Sequence, residues 1–138
     1  MTTPTPYADQ PKGTIGRTYE DGKPVFYKFD NDLPPAETRS RLPWLTVITW
    51  EYDGDDNNGM PAEAEREGMI NLEQAIDEIE ADGAARHAYS RTGNDLKELV
   101  YYIRDQDQFM ASFNQVLANH PRYPIEIVED AHSNLWFV

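Results

Sequence analysis

The run WLTVITWEY at residues 44–52 constrains the fold more than any other segment of this 138-residue chain. It is β-branched and aromatic at both alternating sets of positions, as expected of a central strand covered on both sides. Such a strand needs neighbours, and other segments supply them. Residues 15–20 and 24–30 are shorter β-type runs separated by Asp21-Gly22, a step that provides the positive φ values of a tight hairpin turn. Residues 84–91 and 96–103 flank Thr92-Gly93-Asn94-Asp95, a second hairpin signal, and residues 124–129 read as a last short strand before Leu135-Trp136-Phe137.

Two helices fall between these strands. Residues 62–82 follow Pro61, which a first helical turn tolerates, and carry Met69, Leu72, Ile76 and Ile79 at spacings of three and four, with Gly83 placed as the stop. Asp105 offers an N-cap with Gln108 three residues on, and Phe109, Phe113, Val116 and Leu117 form the stripe of a second helix ending before Pro121. Residues 31–43, with Pro34-Pro35, read as a loop with room for one helical turn.

From residue 44 the order is β-α-β-β-α-β, the split βαβ or ferredoxin-like pattern. The fold class is therefore α+β: two helices on one face of an antiparallel sheet, with an extra N-terminal β-hairpin. The strands at Trp44 and Leu96 are expected to be the two inner ones of that pattern. The length suits one domain over residues 14–138, and residues 1–13, with Pro4, Pro6 and Pro11, read as a flexible tail. No run approaches the ~18 apolar residues of a membrane span, and a cytoplasmic location is the default expectation.

Charge is the second constraint. There are 12 Lys and Arg against 25 Asp and Glu, a net of −13, and residues 61–82 alone hold −7 with Arg66 their single base. At 100° per residue Glu73, Asp77 and Glu80 share a narrow wedge, with Glu63, Glu67 and Glu78 on the adjoining surface. Asp53, Asp55 and Asp56 lie in the turn feeding the same helix. Acids at i and i+4 repel by a few tenths of a kcal/mol per pair, and so large a one-signed face speeds association with an opposite charge. The same acidity argues against nucleic acid and anionic lipid as partners, because phosphate neutralisation needs Lys and Arg.

Catalytic and metal chemistry finds little support. No cysteine is present, so thiolate nucleophiles and Cys-ligated zinc are excluded. Asp53-x-Asp55-x-Asn57 begins like a calcium loop, but positions 6 and 12 are Asn58 and Ala64 where glycine and a bidentate glutamate are required. His87, His120 and His132 have no metal or catalytic spacing, and the dipole of a helix C-terminus accounts for His120. No nucleophile elbow or phosphate loop occurs. No enzyme activity and no cofactor are expected.

Several anchors resemble the domain-of-unknown-function family six-nine-five: Pro43-Trp44, Gly59-Met60-Pro61, residues 98–103 (ELVYYI) with Asp105, His120-Pro121-x-Tyr123-Pro124 and Trp136. The spacing of Asp130 and Trp136 departs from that pattern. The resemblance implies no catalytic residue. It extends distantly to the acidic ribonuclease E regulator B, an inhibitor with a ferredoxin-like core, and to small acidic immunity proteins that block basic nucleases.

The function expected is thus a non-enzymatic acidic protein-interaction domain, an inhibitor, regulator or immunity protein docking on a basic nuclease or toxin. The partner-binding residues are Asp53, Asp55, Asp56, Glu63, Glu67, Glu73, Asp77 and Glu80. One alternative is a small-ligand or metal-binding module using the open sheet face, the turn at residues 53–59, and a pocket lined by Trp44, Trp50 or Tyr101. The other is a structural dimerisation subunit. Either a monomer or a homodimer fits the pattern.

Overall fold

A computed structural model of the chain describes residues 14–29 and 36–131. The expected tail at residues 1–13, His132 and the segment Leu135-Trp136-Phe137 lie outside the described residues. Strands β1 (Thr14–Glu20) and β2 (Lys23–Phe29) form the first hairpin, and helix α1 spans Ala36–Arg41. Strand β3 (Trp44–Glu51) leads through a single 3-10 turn, Asp55–Asn57, into helix α2 (Glu63–Ala81). Then come β4 (Ala85–Gly93), β5 (Leu96–Ile103), helix α3 (Gln106–Val116) and β6 (Ile125–Ala131).

The six strands make one sheet in the order β1-β2-β4-β5-β3-β6, and every neighbouring pair is antiparallel. Strand β3 lies between β5 and β6, and β5 between β3 and β4, so the Trp44 and Leu96 strands each have two neighbours. The first hairpin extends the sheet beyond β4.

Local chemistry explains most boundaries. Asp21 and Gly22 take φ 52° and 78°, closing the first hairpin in two residues. The second turn is tighter than the sequence suggests. Asn94 and Asp95, at φ 47° and 69°, are the two unpaired residues, since Thr92 and Gly93 pair with Lys97 and Leu96 in the β4-β5 ladder. Helix α2 has Ala62 as its N-cap, which places Pro61 just outside the first turn. At its other end Gly83 adopts φ 78° and donates to the Glu80 carbonyl at 2.9 Å. Asp105 caps α3 by accepting from the Gln108 amide at 2.7 Å. The reciprocal half of that box is missing, because the Gln108 carbonyl oxygen accepts instead from Arg104 Nε at 2.9 Å.

The core lies between the sheet and helices α2 and α3. Ile48, Trp50, Leu99, Tyr101 and Ile103 from β3 and β5 pack against Met69, Leu72, Ile76, Ile79, Phe109 and Phe113. Fully burying an aliphatic side chain of this size contributes about 1.5–3 kcal/mol, so the two helical stripes anchor the fold. On the opposite face Leu42, just after α1, packs with Tyr102, Leu45 and Ala88 in a smaller cluster. Tyr101 and Tyr102 therefore face opposite ways, and both are buried. This also corrects one expectation: Trp50 and Tyr101 are 4% and 2% exposed in the helix-side core, so they do not line the open sheet face. Trp44 packs against that same core, only partly buried.

Candidate functional site

The acidic loop after β3 is built by its own backbone. The Asp95 amide donates to the Gly59 carbonyl at 3.0 Å, and the Tyr52 amide donates to the Asp95 carbonyl at 3.0 Å. These bonds seat the loop on the β4-β5 turn. The Asp95 carboxylate accepts the Gly54 amide at 2.9 Å, and the Tyr52 hydroxyl donates to the Gly59 carbonyl at 2.7 Å. A Cβ on Gly54 would come within 2.6 Å of the Gly59 carbonyl carbon, so this close approach admits only glycine. Burial first, and the neighbouring Asp95 charge second, push the Tyr52 phenol up to about 12.

Of the loop acids, Asp53 folds back to accept the Asp55 amide at 3.0 Å. Asp53, Asp55 and Asp56 are all exposed. The Asn57 amide ties the loop exit down by donating to the Pro61 carbonyl at 3.0 Å. Among the described residues no group of three or more His, Asp or Glu is placed to hold a metal ion.

Helix α2 sorts its carboxylates by angle. Glu65, which the charge pattern alone did not single out, lies at the angle of the apolar stripe and accepts the Trp50 indole N–H at 2.9 Å. Glu73, at the stripe's edge, pairs with Lys97 of β5 at 3.5 Å. Glu80, close to the same angle one to two turns on, accepts the His87 amide of β4 at 2.8 Å. These three point at the sheet. The narrow wedge of Glu73, Asp77 and Glu80 is thus divided: two of its members are half-buried structural acceptors and Asp77 is exposed.

A different set faces outward. Glu63, Glu67, Asp77 and Glu78 are exposed and fall within roughly 100° of arc, with Ile70, 44% exposed, inside that arc. No described ion pair involves any of these four acids. The site proposed from sequence therefore separates into an outward patch (Glu63, Glu67, Asp77), an exposed loop (Asp53, Asp55, Asp56) and two sheet-facing residues (Glu73, Glu80). Glu78 and Ile70 join the outward patch.

The remaining marked residues are structural. Tyr123 stacks near Trp50 with ring centroids 5.2 Å apart, and its hydroxyl meets His120 Nδ1 at 2.8 Å. His120 lies three residues beyond the C-cap Leu117, so this hydroxyl, rather than the helix dipole alone, holds it. His87 sits edge-on to Tyr101 at 5.4 Å. Among the described residues no helix is long and apolar enough to cross a membrane.

By architecture this is an α+β protein with a six-stranded antiparallel sheet, two long helices on one face and a third, short helix. Its sequence matches a family of unknown function (DUF695) over residues 17–137, and the chain belongs to that family. No curated protein matches the chain.

Proposed function

We infer that the protein is a non-enzymatic acidic interaction domain that docks on a basic protein through the outward face of α2. The observation that carries this reading is the patch of Glu63, Glu67, Asp77 and Glu78 around the exposed Ile70. A rim of four acids with Arg66 as the one base beside Ile70 is net negative and speeds encounter with opposite charge, and an apolar centre gives a docked partner something to bury. Asp53, Asp55 and Asp56 extend the same sign into the loop that feeds the helix. A basic nuclease or toxin is the partner class, and inhibition or immunity the role. The strand order β4-β5-β3-β6 with α2 and α3 on one face supports reading the core as ferredoxin-like, with β1-β2 as an added hairpin.

The loop at residues 53–59 is the less favoured binding feature, because its own folding already uses oxygens of Asp53 and Asp95. A pull-down from the native cytoplasm tests the reading. Wild-type protein should retain a basic protein in a salt-sensitive way, and the variant Glu63→Gln/Glu67→Gln/Asp77→Asn/Glu78→Gln should not. Retention by both, or by neither, overturns it.

A further inference from the structure

At the end of the sheet away from the acidic loop, three of the chain's twelve bases line one cleft of about 250 Å3. Arg41 comes from the end of α1, Arg86 from β4 and Arg104 from the residue after β5. In a chain of net charge −13, whose 25 acids are potential carboxylate partners, this cleft holds three bases against two acids.

These guanidiniums have not found them. Arg86 is half-buried and makes no hydrogen bond or ion pair with any described residue. Arg41 reaches only the Thr38 hydroxyl, at 3.5 Å, beyond ordinary hydrogen-bond length. Arg104 spends its Nε on Gln108 and leaves its two terminal nitrogens without a described partner. Two acids also line the cleft, but Glu80 is engaged by the His87 amide and Asp82 is exposed at the cap of α2. The cleft therefore offers unspent donors, those of Arg86 partly desolvated and those of Arg41 and Arg104 exposed at its rim.

We propose that this cleft binds a small phosphate monoester, the phosphate held by Arg86, Arg104 and Arg41. Three forks from three separate elements suit a tetrahedral oxyanion with several acceptor oxygens better than a planar carboxylate. The volume approaches the low end of small-molecule pockets and exceeds what a bare phosphate fills, so it leaves room for a short organic group. Thr38 is also among the lining residues. The cleft shares no residue with the outward acidic patch except for its use of α2, so this proposal stands or falls independently of the docking reading.

The test is thermal shift and calorimetric titration of the full chain with glycerol 3-phosphate and with inorganic phosphate, ionic strength held constant and sulfate as control. Glycerol 3-phosphate should raise Tm and bind more tightly than inorganic phosphate or sulfate. Arg86→Gln and Arg104→Gln should each weaken that binding by about tenfold or more. Arg41→Gln should weaken it less, and because Arg41 and Arg104 are both exposed, both of these variants should keep the fold intact by circular dichroism. No binding, equal binding of sulfate, or binding unchanged in Arg41→Gln and Arg104→Gln would each overturn the proposal.

Discussion

Two sets of carboxylates of similar local sequence meet opposite fates in this molecule. Glu65, Glu73, Glu80 and Asp95 each hold a particular donor: an indole, an ammonium and two backbone amides. Glu63, Glu67, Asp77 and Glu78 hold none among the described residues and face outward around Ile70. The inner set positions elements against each other, seating α2 on β3, β4 and β5 and the acidic loop on the β4-β5 turn. The outer set contributes a field. Net charge is blind to this distinction, since all eight count equally toward −13.

The largest expected effect breaks the inner arrangement at its tightest point. Gly54→Ala would drive a methyl into the Gly59 backbone, costing about 3 kcal/mol, read as a lower urea midpoint at unchanged slope. Next comes Tyr52. Its folded-state phenol stays protonated up to about 12 against an ordinary 10, so the neutral form is favoured by folding. The associated stability is fully present below pH 10 and is lost as pH rises from 10 to about 12, up to roughly 2–3 kcal/mol. Tyr52→Phe should shrink that alkaline arm in pH-dependent unfolding, leaving the part due to Tyr89 and Tyr102, whose phenols burial also pushes up, while costing about 1 kcal/mol at neutral pH for the lost bond to Gly59.

The smallest effects sharpen the contrast between the two sets. Glu73→Gln, which breaks the pair with the amine of the mostly buried Lys97 side chain, should destabilise by about 0.5–1 kcal/mol, less at high salt. Glu67→Gln should leave stability unchanged or raise it by a few tenths of a kcal/mol, because it relieves repulsion from Glu63 one turn away. If both substitutions move the chemical midpoint in the same direction, the division into inner and outer carboxylates is wrong.

Much of the architecture was legible because it rests on short-range rules. The stripe at Met69, Leu72, Ile76 and Ile79, the stop at Gly83 and the cap at Asp105 are all as read. Periodicity and capping depend only on residues a few positions apart. The turn at Asn94-Asp95 was placed only to within two residues, since the register of β4 on β2 and β5 decides where pairing ends. The site was half legible. A helical wheel predicts which acids share an angle, and it correctly grouped Glu73, Asp77 and Glu80. It cannot say where the sheet edge falls, and so it could not tell that Lys97 and the His87 amide wait beside two of the three.

Sequence by itself thus determined the order of the strands and of the two long helices, though not the short helix at Ala36–Arg41, together with the apolar stripes and the concentration of acid on one helix, because each follows from local spacing and propensity. Tertiary structure alone decided which carboxylates became structural acceptors and which arginines were left without them. Glu65 and Trp50 are 15 residues apart, and Arg41, Arg86 and Arg104 span more than 60, so only the folded sheet brings them within reach of one another or of one cleft. Electrostatic partnership is a property of distance in space, and the chain's order fixes that distance only after it has folded.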